Sequence, residues 1–151
     1  VLFYKAAQEA GLQAILGSEV SLTQNARLTL LVENAEGYRN LCRLLSTRAR
    51  QHTRFQDQPG FTAEDLARHA RGLICLAGTD ADPNCDLYRE IYGRNLAFAL
   101  SAHNEDDARR SRILLNAARR LRVPTVVAPS VHHARRDTSE ALRWEVLASM
   151  R

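Results

Sequence analysis

Amphipathic helical stretches alternate with short apolar runs along most of this chain, and that alternation limits what it can fold into more than any other feature. Helical stripes need a surface to cover, and short apolar runs bounded by turn signals read as the strands beneath them. The repeat is that of βα units rather than of a bundle or a sandwich. The opening helix reaches about Ala10 and stops at Gly11, a natural C-terminal cap. Ala14 to Leu22 and Arg27 to Glu33 are strand candidates on either side of the polar turn Thr23-Gln24-Asn25. A strongly amphipathic helix extends from about Ala35 to Gln51, with Tyr38, Leu41, Leu44 and Leu45 on one stripe.

His52 to Gly60 is polar, contains Pro59 and Gly60, and reads as a surface loop. Thr62, with Asp65 three residues on, predicts a capped helix ending near Ala70. Gly72 to Ala77 is a strand, Asp86 to Tyr92 a short helix and Asn95 to Leu100 another strand. A long helix from about Glu105 to Leu121 leads to the last strand, Pro124 to Ala128, and Ser139 to Met150 forms the closing helix. The order predicts a single α/β domain over residues 1–151, a parallel barrel or part of one, with a doubly wound sheet as the alternative. Leu2 to Ala10 has no capping residue ahead of it, so the chain is expected to begin inside a larger unit.

With 45% apolar and 25% charged residues the chain can bury an ordinary core. No run approaches the roughly 18 apolar residues of a membrane span and no signal peptide is visible, so a cytoplasmic protein is expected. Cys42, Cys75 and Cys85 are an odd count without paired spacing, so neither a disulfide framework nor a zinc knuckle is indicated. Cys42 and Cys75 are expected to be buried. The net charge of +4 rests almost wholly on arginine, Lys5 being the one lysine, and is too modest to argue for nucleic-acid contact by itself. The helix with Arg109, Arg110, Arg112, Arg119 and Arg120 opens with Glu105, Asp106 and Asp107, an arrangement that suits the helix dipole and a solvated face. His52 and His69 read as solvated.

In α/β folds the loops leaving the carboxyl ends of parallel strands converge on one edge, so chemistry is sought there. The strand ends deliver Glu19, then Thr79 and Asp80, then His103, then Ser130, His132 and His133. Singly, such residues are more often loop residues or helix caps. Together, carboxylate and imidazole from different strands are what a hydrolytic metal site requires, because divalent ions take O and N donors and acidify bound water. No Gly-rich phosphate loop, Gly-x-Ser-x-Gly elbow or His-Glu-x-x-His pair offers another chemistry.

The run Phe3-Tyr4-Lys5-Ala6-Ala7-Gln8-Glu9-Ala10-Gly11-Leu12, continued by Ile15-Leu16-Gly17-Ser18-Glu19-Val20, resembles the PHP domain (polymerase and histidinol phosphatase domain) of bacterial DNA polymerase III alpha-type subunits, around its Gly-x-Glu metal motif. The most specific part is Leu28-Thr29-Leu30-Leu31-Val32-Glu33-Asn34-Ala35-Glu36-Gly37-Tyr38-Arg39-Asn40-Leu41, which with Cys42-Arg43-Leu44-Leu45 after it leans toward the error-prone branch. Gly72 to Gly78 and Val123 to Ala128, leading to Val131-His132, are further echoes in the right order.

The resemblance implies a partial PHP-type (β/α)7 barrel lacking its first strand or strands. It implies divalent metal, zinc, manganese or magnesium, with Glu19, His103 and His132 at ligand positions. Arg27 stands where a histidine usually precedes Leu-Thr-Leu-Leu, Thr79 where a cysteine often sits, and Ser130 where the Asp of Asp-Val-His belongs. The family's upstream His-x-His and Thr-Asp-His motifs are not in this sequence. The implied site is therefore incomplete, with Asp80 as a conceivable substitute donor. The expected function is a structural or accessory module in replicative or error-prone DNA synthesis, partnered by DNA and by other polymerase domains or holoenzyme subunits. The rival functions are a metal-dependent phosphoesterase or 3′-5′ exonuclease acting on DNA ends, and a decayed remnant that folds poorly.

Overall fold

The computed structural model describes residues 2–23, 26–51, 60–78, 85–101 and 105–128, with only the backbone of 48–51. Their elements are α1 (Leu2–Glu9), β1 (Gly17–Ser21), β2 (Arg27–Val32), α2 (Ala35–Gln51), α3 (Ala63–His69), β3 (Leu73–Ala77), α4 (Cys85–Tyr92), β4 (Leu96–Leu100), α5 (Glu105–Leu121) and β5 (Thr125–Val127). Each of them matches an element expected from the sequence, with β1 three residues shorter at its start than expected. The closing helix expected from Ser139 to Met150 and most of the loop expected from His52 to Gly60 lie outside the described residues.

The strands form one mixed sheet in the order β1-β2-β3-β4-β5. The expectation of an all-parallel sheet needs correction: β2 is antiparallel to both β1 and β3, while β3, β4 and β5 are parallel. For β1 and β2 the physical reason is connection length. Parallel neighbours need a crossover of about a dozen residues or more, but only Leu22 to Ala26 link β1 to β2, and the Leu22 N–H closes that turn on the Ala26 carbonyl at 2.8 Å. Among the described residues β1 and β5 do not pair, so the sheet is open.

Strand side chains alternate between two faces, and here the faces differ. Val20, Leu28, Leu30, Leu73, Cys75, Ala77, Leu96 and Phe98 are in register on one face and almost wholly buried. Helices α2, α4 and α5 pack on that face, contributing Leu41, Leu44, Tyr88, Leu114 and Ala118 to the same core. Cys75 is buried as expected, and its thiol is pushed up to about 12 by burial, so it stays protonated and inert. Cys42 is exposed, contrary to expectation, because it lies on the solvent side of α2. His69 is not solvated: it is 9% exposed, with Nδ1 2.9 Å from the Asp65 carbonyl oxygen.

The segment Asn34 to Asn40 is accounted for by packing. The Asn34 Oδ1 accepts from the N–H groups of Glu36 and Gly37, both at 3.0 Å, and so caps α2. A Cβ on Gly37 would lie 1.7 Å from the Gly72 carbonyl oxygen, so only glycine lets α2 rest on the turn before β3. Glu33 N–H donates to that same carbonyl at 3.0 Å, and Asn40 Nδ2 donates to the Arg71 carbonyl at 2.8 Å. The Thr62 capping box forms as expected, Thr62 Oγ1 accepting from Asp65 N–H at 3.1 Å and Asp65 Oδ2 accepting from Thr62 N–H at 3.0 Å.

Phe98 is fully buried at the centre of the core, so Phe98→Ala is expected to cost about 3–5 kcal/mol in urea unfolding. Asp86 on α4 is clasped by both Arg120 nitrogens on α5 at 2.9 and 2.8 Å, and that hydrogen bond chiefly holds its carboxyl below the ordinary range. A depressed folded value means the pair stabilises above the unfolded Asp value and is lost as pH falls through the folded one. Arg120→Ala should therefore lower Tm slightly at neutral pH, and the gap from wild type should close in melts taken well below about pH 3.9.

Candidate functional site

Strand direction decides which residues can meet. Because β2 runs against its neighbours, its amino end shares one edge of the sheet with the carboxyl ends of β1, β3, β4 and β5. Arg27, the first residue of β2, is thereby brought to the candidate edge opposite Ser21. Glu19 sits opposite Thr29, and both are on the sheet face away from the helices. The two charged side chains meet diagonally across the hairpin, with Arg27 Nη1 3.5 Å from Glu19 Oε1. They are 59% and 61% exposed, so solvent screens much of their attraction.

The chain leaves β3 after Gly78 toward Thr79 and Asp80, leaves β4 after Ser101 toward His103, and leaves β5 after Ala128 toward Ser130 and His132. Thr79, Asp80, His103, Ser130, His132 and His133 lie outside the described residues. Glu19 and Arg27 are the two predicted positions that the structure brings together. Among the described residues no three His, Cys, Asp or Glu side chains converge as a metal would require.

The pair formed by Glu19 and Arg27 does not suit a divalent metal. A guanidinium has no lone pair to offer and keeps its charge at any working pH. A second cation near Glu19 would meet that charge: like unit charges about 4 Å apart repel by about 1 kcal/mol in water and about 4 kcal/mol at an effective dielectric constant of 20. A dication doubles the repulsion.

Sequence reasoning missed a hydrogen-bonded lock at the same edge. The buried Ser111 hydroxyl of α5 donates to the Ser101 carbonyl at 2.7 Å and accepts from the Ser101 N–H at 3.2 Å, while Ser101 Oγ donates to Asp107 Oδ2 at 3.3 Å. The signal available was Ser111 itself, a hydroxyl on the apolar side of α5. The lock fixes where the chain leaves β4. A cleft of about 590 Å³ lies at the opposite edge, lined by residues that include Glu33, Asn34, Arg71, Tyr92, Arg94 and Asn95. It is remote from the carboxyl strand ends, and several of its polar groups are already engaged in seating α2 and β4. Ser111→Ala leaves both Ser101 backbone groups without their partner and is expected to cost about 1–3 kcal/mol, measured as a shift of the urea midpoint.

The family model described as PHP domain matches residues 1–119. The chain is similar to the error-prone DNA polymerase of Pseudomonas aeruginosa, 37% identical over 137 residues, which cover 87% of this chain and 13% of that protein. Similarity to the error-prone DNA polymerase of Pseudomonas fluorescens strain Pf0-1 is 35% over 153 residues, covering 95% of this chain and 15% of that protein. For the error-prone DNA polymerase of Anaeromyxobacter sp. strain K it is 36% over 146 residues, covering 85% and 13%. The chain thus spans about one seventh of the length of these relatives.

Proposed function

This chain belongs to the PHP-domain family, and on that premise we propose that it is a structural module of an error-prone type DNA polymerase, with a metal site too depleted for hydrolysis. The observation that carries the second half is the ion pair between Arg27 and Glu19. A carboxylate at a ligand position is held by a fixed cation supplied by the protein itself, so Arg27 takes the place that a metal's charge would occupy. His103 and His132 remain the other ligand positions of this reading, with Thr79 and Ser130 as losses.

The five strands form an arc of a (β/α)7 barrel, residues 1–151 being one domain. Supporting this, helices cover one sheet face, while Leu31, Ile74, Leu76, Ala97 and Ala99 make a half-buried apolar band on the other. A sheet of parallel strands is normally covered on both faces. DNA and other polymerase domains or holoenzyme subunits are the partners, and the cytoplasm the place of work. No helix among the described residues is long and apolar enough to cross a membrane.

The test is a metal titration read by differential scanning fluorimetry, with a 3′-labelled DNA cleavage assay in manganese or zinc. Wild type is expected to show neither a metal-dependent rise in Tm nor cleavage. Arg27→His, which removes the competing charge, is expected to gain a rise, since a ligand at about 100 times its Kd stabilises by about 2.7 kcal/mol. Metal-dependent cleavage by wild type that Glu19→Gln abolishes would instead establish the phosphoesterase.

A further inference from the structure

We propose that the solvent face of α2 is a docking surface for the backbone of single-stranded DNA. The identity of the polyanion rests on the proposed role in DNA synthesis; the surface itself rests on charge and geometry. Helix α2 contains four arginines, Arg39, Arg43, Arg48 and Arg50, against one acid, Glu36. Glu36 is engaged by Arg71 at 3.4 Å. Arg39 and Arg43 are exposed and form no ion pair among the described residues.

Exposed arginines without an ion pair among the described residues also occur at Arg94, Arg112, Arg119 and Arg122, so what singles out α2 is an exposed aromatic side chain, Tyr38, on the same helix as its arginine pair. Arg39 and Arg43 repel each other at (i, i+4) spacing, a cost that a bound polyanion removes. Arg39 and Arg43 lie one turn apart, about 6 Å along the axis, close enough to engage successive phosphates of one strand.

Single-stranded DNA is favoured over a duplex by what flanks the arginines. Tyr38 is 51% exposed and Leu45 38%, although both fall on the apolar stripe that the sequence assigns to the core. A tyrosine face beside a basic track is the arrangement on which unpaired bases stack, and a duplex hides those base faces. An acidic peptide would use the arginines but has nothing to stack on Tyr38.

The experiment is fluorescence anisotropy with a labelled oligothymidine of about 16 nucleotides, using the whole chain from about 50 to 200 mM salt. Arg39→Gln/Arg43→Gln is expected to weaken binding about tenfold or more at the low-salt end and to flatten the log Kd against log salt slope by about 1.4, at about 0.7 per lost phosphate contact. Tyr38→Ala should weaken binding roughly tenfold with the slope unchanged. Both variants should melt as wild type does, since the side chains are exposed. The proposal is overturned if wild type does not bind at low salt or the double variant keeps wild-type affinity and slope. It is equally overturned if a duplex competes as well as the single strand, or if polyglutamate of equal charge does, which would point to an acidic protein partner. The metal titration decides the depleted-site reading separately, so failure of one leaves the other standing.

Discussion

One face of the sheet carries the fold. Val20, Leu28, Leu30, Cys75, Ala77, Leu96 and Phe98 project from neighbouring strands in register, and α2, α4 and α5 lie across them. Burying apolar surface at about 25 cal/mol per Å² makes this contact the dominant favourable term, against which the ordering of each strand must be offset. The other features are consequences of holding the helices at that distance. Gly37 and Gly72 allow α2 to approach the turn before β3, Ser111 ties α5 to the end of β4, and the Asp86–Arg120 clasp links α4 to α5 at the surface.

Much of this is legible in the sequence because helix and strand have different periods. The alternation of apolar residues in β3 and β4 and the stripe of α2 identify the elements without tertiary information, and Thr62 with Asp65 marks the start of α3 by local chemistry alone. Strand direction is another matter. A run such as Arg27 to Val32 looks the same whichever way it pairs, and only the short link from Leu22 to Ala26 holds the information that it must fold back. Burial of single residues is equally non-local. Sequence alone misplaces Cys42 and His69 because the first sits just outside the covered stripe of α2, and the second has a backbone carbonyl of its own helix to satisfy it.

The candidate site is legible as residue types and partly legible as geometry. Glu19 and Arg27 stand out separately, one as a ligand position and the other as a departure from it. Their meeting across a hairpin is a matter of register, since placing Ser21 opposite Arg27 sets Glu19 two residues back on the same face. The Ser101–Ser111 lock has no motif to announce it, because it joins a strand end to the middle of a helix ten residues later.

The reversed strand has a further electrostatic consequence. Had β2 run parallel to β1, its first residue would lie at the opposite edge of the sheet, and an arginine there would leave Glu19 unanswered. Antiparallel pairing instead sets a permanent cation within 3.5 Å of the carboxylate. A guanidinium differs from a divalent metal in one respect: it neutralises a single carboxylate, but it cannot polarise a water toward hydroxide as a dication does. Charge at this part of the edge is thus balanced by the protein's own side chain.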